Sequence, residues 1–531
     1  MPSHSISFRE TGYFSSLMCD YLDQKDELNA FYNRFPTLEN FQKQIDEKAE
    51  HVASVNRAVL ENALLKQYEG VDASLETHNN IIALRKSDTF TVTTGHQLNL
   101  FTGPLYFLYK IISTINLTRQ LKERYPKYHF IPVYWMATED HDFDEINFFN
   151  FRGKKVQWTR ESSGAVGRLS TESLEALLKV FSNQLPRSVK ADELIELFDQ
   201  AYLSDYSLAE ATRQLTNALF GEYGLVIIDG DDKDLKHIFI PYAEKELVGN
   251  QSFKAVSETN SELASSGYKI QVNPREINLF YLVDGLRERI VEKDGQFIVN
   301  NTKLSWDRER IITELHAYPE RFSPNVITRP LYQEVILPNL CYIGGGGELA
   351  YWMQLKDYFV DAKVAFPILL LRNSVLLIPS KIMEKLEKLK LDVKALFQNQ
   401  NQLVEQLTRL NSEIEIDFSR QKEFLKQQFE ELHNLAEQTD KSFKGAVAAQ
   451  ERKQIKGLEH LEKRLLKAQK KQLSGYLKRV KAIQDELFPN QSLQERQLNF
   501  TEVYLELGKE LINLLADNLE PLNGEFLIIE T

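Results

Sequence analysis

The stretch from Thr89 to Asn147 constrains the fold more than any other, because it has the pattern strand, turn, helix, strand and acidic loop. Segments 89–94 and 130–137 are short apolar runs, which predict strands covered on both faces. Residues 105–117 are apolar nearly all round, which predicts a buried helix. Thr102-Gly-Pro104 is a typical helix start, with a capping hydroxyl or glycine and a first-turn proline. The sequence therefore predicts a right-handed βαβ unit with two parallel strands.

Polar residues follow both predicted strands at their carboxyl ends. The clusters are 94–99 and 139–145. Ligands of open α/β sheets bind outside the carboxyl ends of the strands. Two polar clusters on the same rim of one sheet predict an active site there.

Composition limits the class of protein and its partners. The 531 residues predict two to four domains, and 43% hydrophobic with 26% charged residues is typical of a globular protein. A net charge of −12 argues against nucleic acid or an anionic membrane as the main partner. We find no signal segment and no apolar run near the ~20 residues that span a bilayer. Two cysteines far apart, Cys19 and Cys341, predict a reducing, cytoplasmic location without disulfides.

Changes in composition predict the domain order. The predicted parts are a helical layer (1–85), the first part of a Rossmann-like core (86–149), an inserted subdomain that rejoins the sheet near 220–232 (150–325), the second part of the core (326–380), a coiled coil (381–487) and a segment that docks back on the core (488–531). Within the insertion we expect strands at 269–272 and 279–284 and a hairpin turn at Asp294-Gly295. After the coiled coil we expect one helix near 500–519 and a strand at 526–529.

The coiled-coil prediction depends on apolar residues spaced three and four apart. The predicted seam comprises Leu425, Phe429, Leu432, Ala436 and Phe443, then Leu473, Tyr476, Val480, Ile483 and Leu487. Thr439-Asp-Lys-Ser442 predicts a capped break, and hence an antiparallel hairpin. Because an isolated hairpin buries little surface, we predict a homodimer through 381–487. Packing of the hairpin on its own core is the alternative.

The turn Thr94-Gly95-His96-Gln97 could hold an anion through backbone N–H groups, with His96 as a further donor. The alternative is a glycine turn whose polar side chains only cap the loop. The patterns for dinucleotide and P-loop binding, G-x-G-x-x-G and G-x-x-x-x-G-K-[ST], are absent from the sequence.

The run Glu139-Asp140-His141-Asp142 places four titratable groups side by side. Such groups can act as a base toward an amine, or Asp140 and Asp142 can hold Mg²⁺. A solvated acidic loop is the alternative. Asp229, Asp231 and Asp232 also follow a predicted strand, but there a solvated turn is the favoured interpretation.

The four glycines Gly344, Gly345, Gly346 and Gly347, followed by Glu348, lie between apolar flanks. We favour close approach of this backbone to a ligand over a flexible loop. Arg329 and Arg372 adjoin core-like segments, where either could bind a substrate carboxylate or form a structural ion pair. Cys341 is interpreted as a small buried apolar residue.

Several of these motifs together resemble one family over nearly the whole chain. They are Thr94-Gly-His-Gln97, Thr102-Gly-Pro-Leu-Tyr106, Glu139-Asp-His-Asp-Phe143 with Glu145-Ile-Asn147, Arg329-Pro330, Gly344–Glu348 with Ala350-Tyr-Trp352, and Leu493-Gln-Glu-Arg496 with Asn499-Phe500. They are similar to the bacillithiol biosynthesis cysteine-adding enzyme family. The resemblance implies a Rossmann-like core with connecting-peptide insertions, and a coiled coil linked to dimerisation.

The resemblance also implies a ligase that joins L-cysteine to glucosaminyl-malate through an amide, in the last step of bacillithiol synthesis. It implies association with ATP or ADP and Mg²⁺. We expect His141, Asp140, Glu139 and His96 to be catalytic. The expected substrate-binding residues are Thr94, Gly95, Gln97, Asn99, Arg329, Gly344, Gly345, Gly346, Gly347, Glu348, Trp352, Arg372 and Asn373.

Two other functions stay open on the sequence. One is a different nucleotidyl-transferring or amide-forming enzyme on the same core, and the other is a non-catalytic coiled-coil assembly protein. The turn 94–97 takes the place of the histidine signature of class I synthetases without matching it. Near Arg372-Asn-Ser374 there is no lysine-serine signature, which argues against adenylate chemistry of the synthetase type.

Overall fold

The computed structural model describes residues 3–51, 54–204 and 206–531, which form two units. The first unit comprises residues 1–376 and 494–529, and the second comprises 377–493 and 530–531. Among the described residues, no helix is both long and apolar enough to cross a membrane.

The strands are β1 (Ser3–Ser7), β2 (Thr89–His96), β3 (His129–Met136), β4 (Phe148–Phe151), β5 (Lys154–Gln157), β6 (Val226–Asp229), β7 (Leu279–Val283), β8 (Leu286–Lys293), β9 (Gln296–Val299), β10 (Ser305–Trp306), β11 (Phe322–Pro324), β12 (Asn339–Gly344), β13 (Ile368–Leu371), β14 (Val375–Ile378) and β15 (Glu525–Glu530). 

The α-helices are α1 (Phe8–Thr11), α2 (Ser16–Leu22), α3 (Leu38–His51), α4 (Ser54–Gln67), α5 (Leu75–Ala83), α6 (Tyr106–Arg124), α7 (Phe143–Ile146), α8 (Leu174–Ser182), α9 (Val189–Tyr202), α10 (Leu208–Phe220), α11 (Lys233–Gly249), α12 (Gln251–Ser265), α13 (Arg308–Ala317), α14 (Arg329–Ile336), α15 (Gly346–Met353), α16 (Lys356–Ala362), α17 (Ser380–Leu389), α18 (Gln400–Asn411), α19 (Ser419–Ala436), α20 (Lys441–Gln472), α21 (Ser474–Leu487), α22 (Gln494–Gln497), α23 (Phe500–Leu507) and α24 (Glu510–Asn518).

A five-stranded parallel sheet forms the centre of the first unit, in the order β13–β12–β2–β3–β6. Every residue of β2 and β12 is buried. Strands covered on both faces are continuous apolar runs, which is the pattern that predicted them. The predicted Rossmann-like parallel core is therefore confirmed, and the predicted strand near 225–228 is its edge strand β6.

Helix α6 makes the predicted crossover between β2 and β3, and 13 of its 19 residues are buried. The predicted cap of this helix is wrong. The helix starts at Tyr106 and has no side-chain cap, because Thr102 and Gly103 take the positive φ values 68° and 64°. Residues 100–102 form a short 3₁₀ turn instead.

A second sheet is antiparallel, in the order β10–β9–β8–β7–β11. The predicted hairpin turn lies between β8 and β9, where Asp294 and Gly295 have φ values of 51° and 74°. A two-residue turn with both φ values positive matches the twist of the flanking strands. The predicted strand at 269–272 is wrong: the N–H groups of Gln271 and Val272 donate to Gln354 Oε1 at 2.9 and 3.1 Å.

The C-terminal segment of this unit differs from prediction in two respects. The single helix expected near 500–519 is two helices, α23 and α24, because Gly508 has a φ of 67° and interrupts it. The predicted last strand is found as β15, and it pairs with β1. Strand β1 was missed because the serine-rich segment 3–7 has little apolar character.

In the second unit, α19 and α20 form the predicted hairpin around the capped break. The Asp440 carboxylate accepts from the Phe443 N–H at 2.9 Å and caps α20. Phe429, Ala436 and Val447 are buried together. The predicted seam is only partly correct, because the side chains of Leu432 and Phe443 are 41% and 42% exposed. A two-helix pair covers one stripe of each helix and leaves the next stripe exposed.

Candidate active site

A cavity of about 630 Å³ lies at the carboxyl ends of the central strands. Strands β2, β3 and β12 end at His96, Met136 and Gly344. The cavity brings together predicted residues from four separated segments, namely Gly95, His96, Gln97, Glu139, Asp140, Arg329 and Glu348. The strand-end rule therefore located the cavity correctly.

Other predicted site residues lie outside the cavity lining. Thr94 Oγ1 donates to the Ile343 carbonyl at 2.7 Å, so it joins β2 to β12. Asn99 Nδ2 donates to the Glu145 carbonyl at 3.2 Å. Trp352 is fully buried, with its ring centroid 4.5 Å from that of Tyr342, and it supports a cavity residue from behind. Asp142 is exposed and does not line the cavity.

Arg372 and Asn373 are also buried away from the cavity. Arg372 Nη2 and Nη1 donate to the two carboxylate oxygens of Glu495, at 2.6 and 3.0 Å. Asn373 donates to the Glu520 carbonyl at 2.9 Å. A guanidinium already held bidentately inside the protein has little capacity for a substrate carboxylate. For Arg372 the structural ion pair, the alternative given by the sequence, is what the structure shows.

The glycine run is ordered, and α15 starts within it. A Cβ on Gly344 would lie 2.9 Å from the Tyr342 ring, and one on Gly346 would lie 3.0 Å from Met18. The close approach that these glycines permit is therefore to neighbouring side chains. Contact between this backbone and a substrate stays a prediction.

His96 is buried on the cavity wall, and its Nε2 has no hydrogen-bond partner among the described residues. Burial and the nearby Lys110 ammonium together lower the pKa of His96 to about 3. The ring is therefore neutral at physiological pH. Gly95 leaves room beside it, because a Cβ there would lie 3.1 Å from the Tyr342 hydroxyl and would crowd it.

Lys110 is a cavity residue that sequence reasoning missed. Its Nζ lies 2.7 Å from the Gly95 carbonyl and 2.5 Å from Glu348 Oε2. Burial lowers the pKa of Lys110. The signal was available, since this lysine stands inside a helix that is otherwise apolar on nearly every face.

Glu139 belongs to a buried charge cluster. Lys236 Nζ lies 2.5 Å from Glu139 Oε1 and 3.4 Å from Asp231 Oδ1, and Arg168 Nε donates to Asp231 at 2.7 Å. Asp229 is bonded by the Thr138 hydroxyl and the Asp231 N–H. The solvated-turn interpretation of Asp229 and Asp231 is therefore wrong, because both carboxylates are held by buried partners.

Asp140 and His141 are held differently from Glu139. Gln97 Nε2 donates to Asp140 Oδ2 at 2.9 Å. Arg287 Nη1 donates to His141 Nδ1 at 2.8 Å, which leaves the imidazole proton on Nε2. The His141 side chain is 49% exposed and does not itself line the cavity, but it contacts the lining residues Arg287 and Phe280.

The remaining wall is basic and comes largely from the inserted segment 150–325. Arg275, Arg287, Arg289 and Arg329 line it. Arg329 Nη2 donates to the Tyr351 hydroxyl at 2.8 Å. Three of these arginines were missed: Arg287 and Arg289 lie on β8 of the second sheet, and Arg275 lies in the segment before β7, far from the motifs in sequence.

The metal ligands predicted from the sequence, Asp140 and Asp142, do not belong to a larger donor group. Within the described ranges there is no cluster of three or more His, Cys, Asp or Glu side chains placed to hold a metal ion. The described side chains therefore do not provide the three or four protein ligands that zinc enzymes use.

The chain matches two family models end to end. Residues 1–373 match "Bacillithiol biosynthesis BshC, N-terminal Rossmann-like domain", and residues 375–531 match the C-terminal coiled-coil domain of the same family. The chain belongs to the BshC family of bacillithiol biosynthesis. This membership confirms the predicted family, fold class and enzyme class, a cysteine ligase.

Three relatives align with this chain over nearly their whole length. A protein of Flavobacterium johnsoniae is 59% identical over 100% of both chains, and one of Christiangramia forsetii is 56% identical over 100% of this chain and 99% of its own. A Bacillus cereus protein is 27% identical over 97% of this chain and 98% of its own. Each is named "Putative cysteine ligase BshC".

Substitution of His141 by alanine should remove most ligase activity with little effect on folding. Loss of a positioned acid–base group costs about 10²- to 10⁴-fold in rate, whereas a half-exposed side chain contributes little packing. Turnover and thermal unfolding of His141→Ala should be compared with those of His316→Ala. His316 is 55% exposed and pairs with Glu244 at 3.5 Å. Equal loss of folding and activity in His141→Ala would instead identify a structural histidine.

Proposed function

We propose that this protein joins L-cysteine to glucosaminyl-malate through an amide bond in the cavity at the sheet edge. One observation carries this proposal: an arginine-lined wall faces a strand end that bears carboxylates. The acceptor has the matching polarity, since its malyl group carries two carboxylates and its sugar carries an amine.

The basic wall would bind the malyl carboxylates. Arg329 is fixed by Tyr351 and by Gln333, whose Oε1 accepts from Nη1 at 3.2 Å, so its orientation is set before a substrate arrives. The side chains of Arg275 and Arg289 have no hydrogen-bonding or ionic partner among the described residues, so their donors are available. Guanidinium groups suit this task because their paired N–H donors match a carboxylate.

The side of the cavity that carries Glu139 and Asp140 would bind the sugar amine of the acceptor. Glu139 is neutralised by Lys236, whereas Asp140 is held by the Gln97 amide and by its own neighbour, the His141 N–H at 2.8 Å. Asp140 is therefore better placed to accept a proton than Glu139. We assign Asp140 as the proton acceptor and His141 as an Nε2–H donor at the cavity edge.

Amide formation sets the proton requirement at this site. The sugar amine attacks the activated carboxyl carbon of cysteine, the C–N bond forms, and the leaving group departs with its electron pair. The nitrogen then loses one proton, which Asp140 would take. Neutral His96, with its unpaired Nε2, would orient a polar group of the substrate.

A nucleoside triphosphate with Mg²⁺, when bound, would supply the activation of the cysteine carboxyl. The residues present fit a further anionic group, because the wall carries four arginines and the cavity holds about 630 Å³. Mg²⁺ at nucleotide sites commonly uses one or two protein carboxylates together with phosphate oxygens. Of the two metal ligands predicted from the sequence, Asp140 lines the cavity and Asp142 does not; because Asp140 is assigned to proton transfer, we assign no carboxylate to Mg²⁺.

A strain that lacks this gene should accumulate glucosaminyl-malate and lose bacillithiol, as measured by mass spectrometry of thiol-labelled extracts. Re-expression of the wild-type protein should restore the thiol, whereas Arg329→Gln should restore it poorly. Loss of a charge-assisted hydrogen bond of about 1.5–3 kcal/mol weakens acceptor binding roughly 10- to 100-fold.

Arg310→Gln is the matched control, since Arg310 is 79% exposed and pairs only with nearby Asp307. It should behave like the wild type. Normal bacillithiol in the deletion strain would contradict the proposed pathway. Full rescue by Arg329→Gln would contradict the proposed carboxylate site.

We also propose that the protein is a cytoplasmic homodimer assembled through the second unit. Its hairpin leaves large apolar side chains uncovered, among them Phe424, Leu432, Leu435, Phe443 and Leu461. Exposed apolar surface at helical spacing suits a second helical pair. Location in the cytoplasm is supported by the free cysteines Cys19 and Cys341.

Leu432→Asp should convert the dimer to a folded monomer, because Leu432 is exposed on the hairpin and outside its buried cluster. Phe429→Asp should instead unfold the hairpin, since Phe429 is 7% exposed and an unpaired buried charge costs several kcal/mol. Sedimentation and helical circular dichroism would separate the two effects. A wild-type protein that is monomeric at micromolar concentration would contradict the dimer.

A further inference from the structure

Lys110 is a buried lysine that none of the sequence motifs includes and that the proposed reaction does not use. Its side chain is 3% exposed, yet it lines the cavity. Nζ donates to the Gly95 carbonyl at 2.7 Å and pairs with Glu348 Oε2 at 2.5 Å. A buried ammonium is retained only where partners compensate its lost hydration.

The Glu348 carboxylate extends these contacts to two further elements. Its Oε2 accepts from the Gly345 N–H at 2.8 Å, and its Oε1 accepts from the Tyr342 hydroxyl at 2.8 Å. The Lys110–Glu348 pair thus connects the end of β2, helix α6, strand β12 and the start of α15. We call the part of the cavity lining formed by Gly95, His96, Lys110, Tyr342 and Glu348 the cavity floor.

We infer that Lys110 is a positioning residue, whose ammonium holds the His96 turn against the corner formed by Gly345 and Glu348 and so fixes the cavity floor. This inference rests on the proposed ligase function for its activity measurement alone. Reacting groups that move by about 1 Å can lose about 100-fold in rate. Removal of the ammonium frees the Gly95 carbonyl and leaves Glu348 unpaired, so both halves of the floor lose their anchor.

The charges around His96 provide a second measurement. Lys110 and Arg372 oppose protonation of the ring, Glu348 favours it, and the Thr102 backbone also bonds to it. Without Lys110, the unopposed Glu348 carboxylate should raise the pKa of His96.

The test compares Lys110→Met with Lys110→Met/Glu348→Gln and with Lys122→Met. Lys122 is an exposed lysine of the same helix whose Nζ contacts only the Pro126 and Tyr128 carbonyls. For each variant, kcat and KM for glucosaminyl-malate are measured. His96 is titrated by NMR of histidine-labelled protein, with its signal assigned by loss in His96→Gln.

Lys110→Met should lower kcat about 10- to 100-fold and raise the pKa of His96 by about one unit or more. In the double variant the His96 titration should return toward that of the wild type while kcat stays low. Lys122→Met should match the wild type in both measurements. If Lys110→Met fails to fold, Lys110→Gln is measured in its place, because it keeps a hydrogen-bond donor but not the charge. The same changes in kcat and in the His96 titration are expected.

Wild-type kcat and an unchanged His96 titration in folded Lys110→Met or Lys110→Gln would overturn the inference. If the wild type shows no ligase activity, the proposed function fails, and the His96 titration alone then decides the role of Lys110.

Discussion

A charge buried without a partner costs several kcal/mol, so the buried charges of the first unit need partners close by. Four of its buried cations are paired with carboxylates: Lys110 with Glu348, Lys236 with Glu139, Arg372 with Glu495 and Lys48 with Glu334. Each pair joins segments that are distant in sequence. The parallel sheet sets where the strands end, and the ion pairs at those ends hold the loops in place.

This pairing separates structural charges from charges that can serve a substrate. Arg372 is saturated by Glu495, and Glu139 is neutralised by Lys236. Arg275 and Arg289 face the cavity without a side-chain partner among the described residues. Asp140 faces it from the strand end, held by an amide and not by a lysine or arginine. The groups that remain available match an acceptor that carries carboxylates at one end and an amine at the other.

Local sequence predicted the parts of the fold that depend on local patterns. Continuous apolar runs gave the parallel strands, and Asp294-Gly295 gave the hairpin turn. Polar residues after strand ends gave the cavity, because the carboxyl ends of parallel strands share an edge. The cap at Thr102 failed because a left-handed turn replaces it, which only tertiary packing around residues 100–103 decides.

The site residues that escaped prediction are those whose role depends on long-range pairing. Whether Arg329 or Arg372 faces the cavity is decided by Glu495, more than a hundred residues after Arg372. Arg287 and Arg289 reach the cavity through pairing of the second sheet. The glycine run resembled a ligand-binding loop. In the structure its glycines instead leave room for neighbouring side chains, because a Cβ on Gly344 or Gly346 would crowd Tyr342 or Met18. Distances between distant segments are not encoded in any one motif.

The most direct test of the account is a crystal structure of this protein with glucosaminyl-malate bound. We expect the malyl carboxylates to lie against Arg329 and its neighbouring arginines, with the sugar amine directed toward Asp140. Density for the acceptor in another part of the molecule, with this cavity filled by solvent alone, would contradict it.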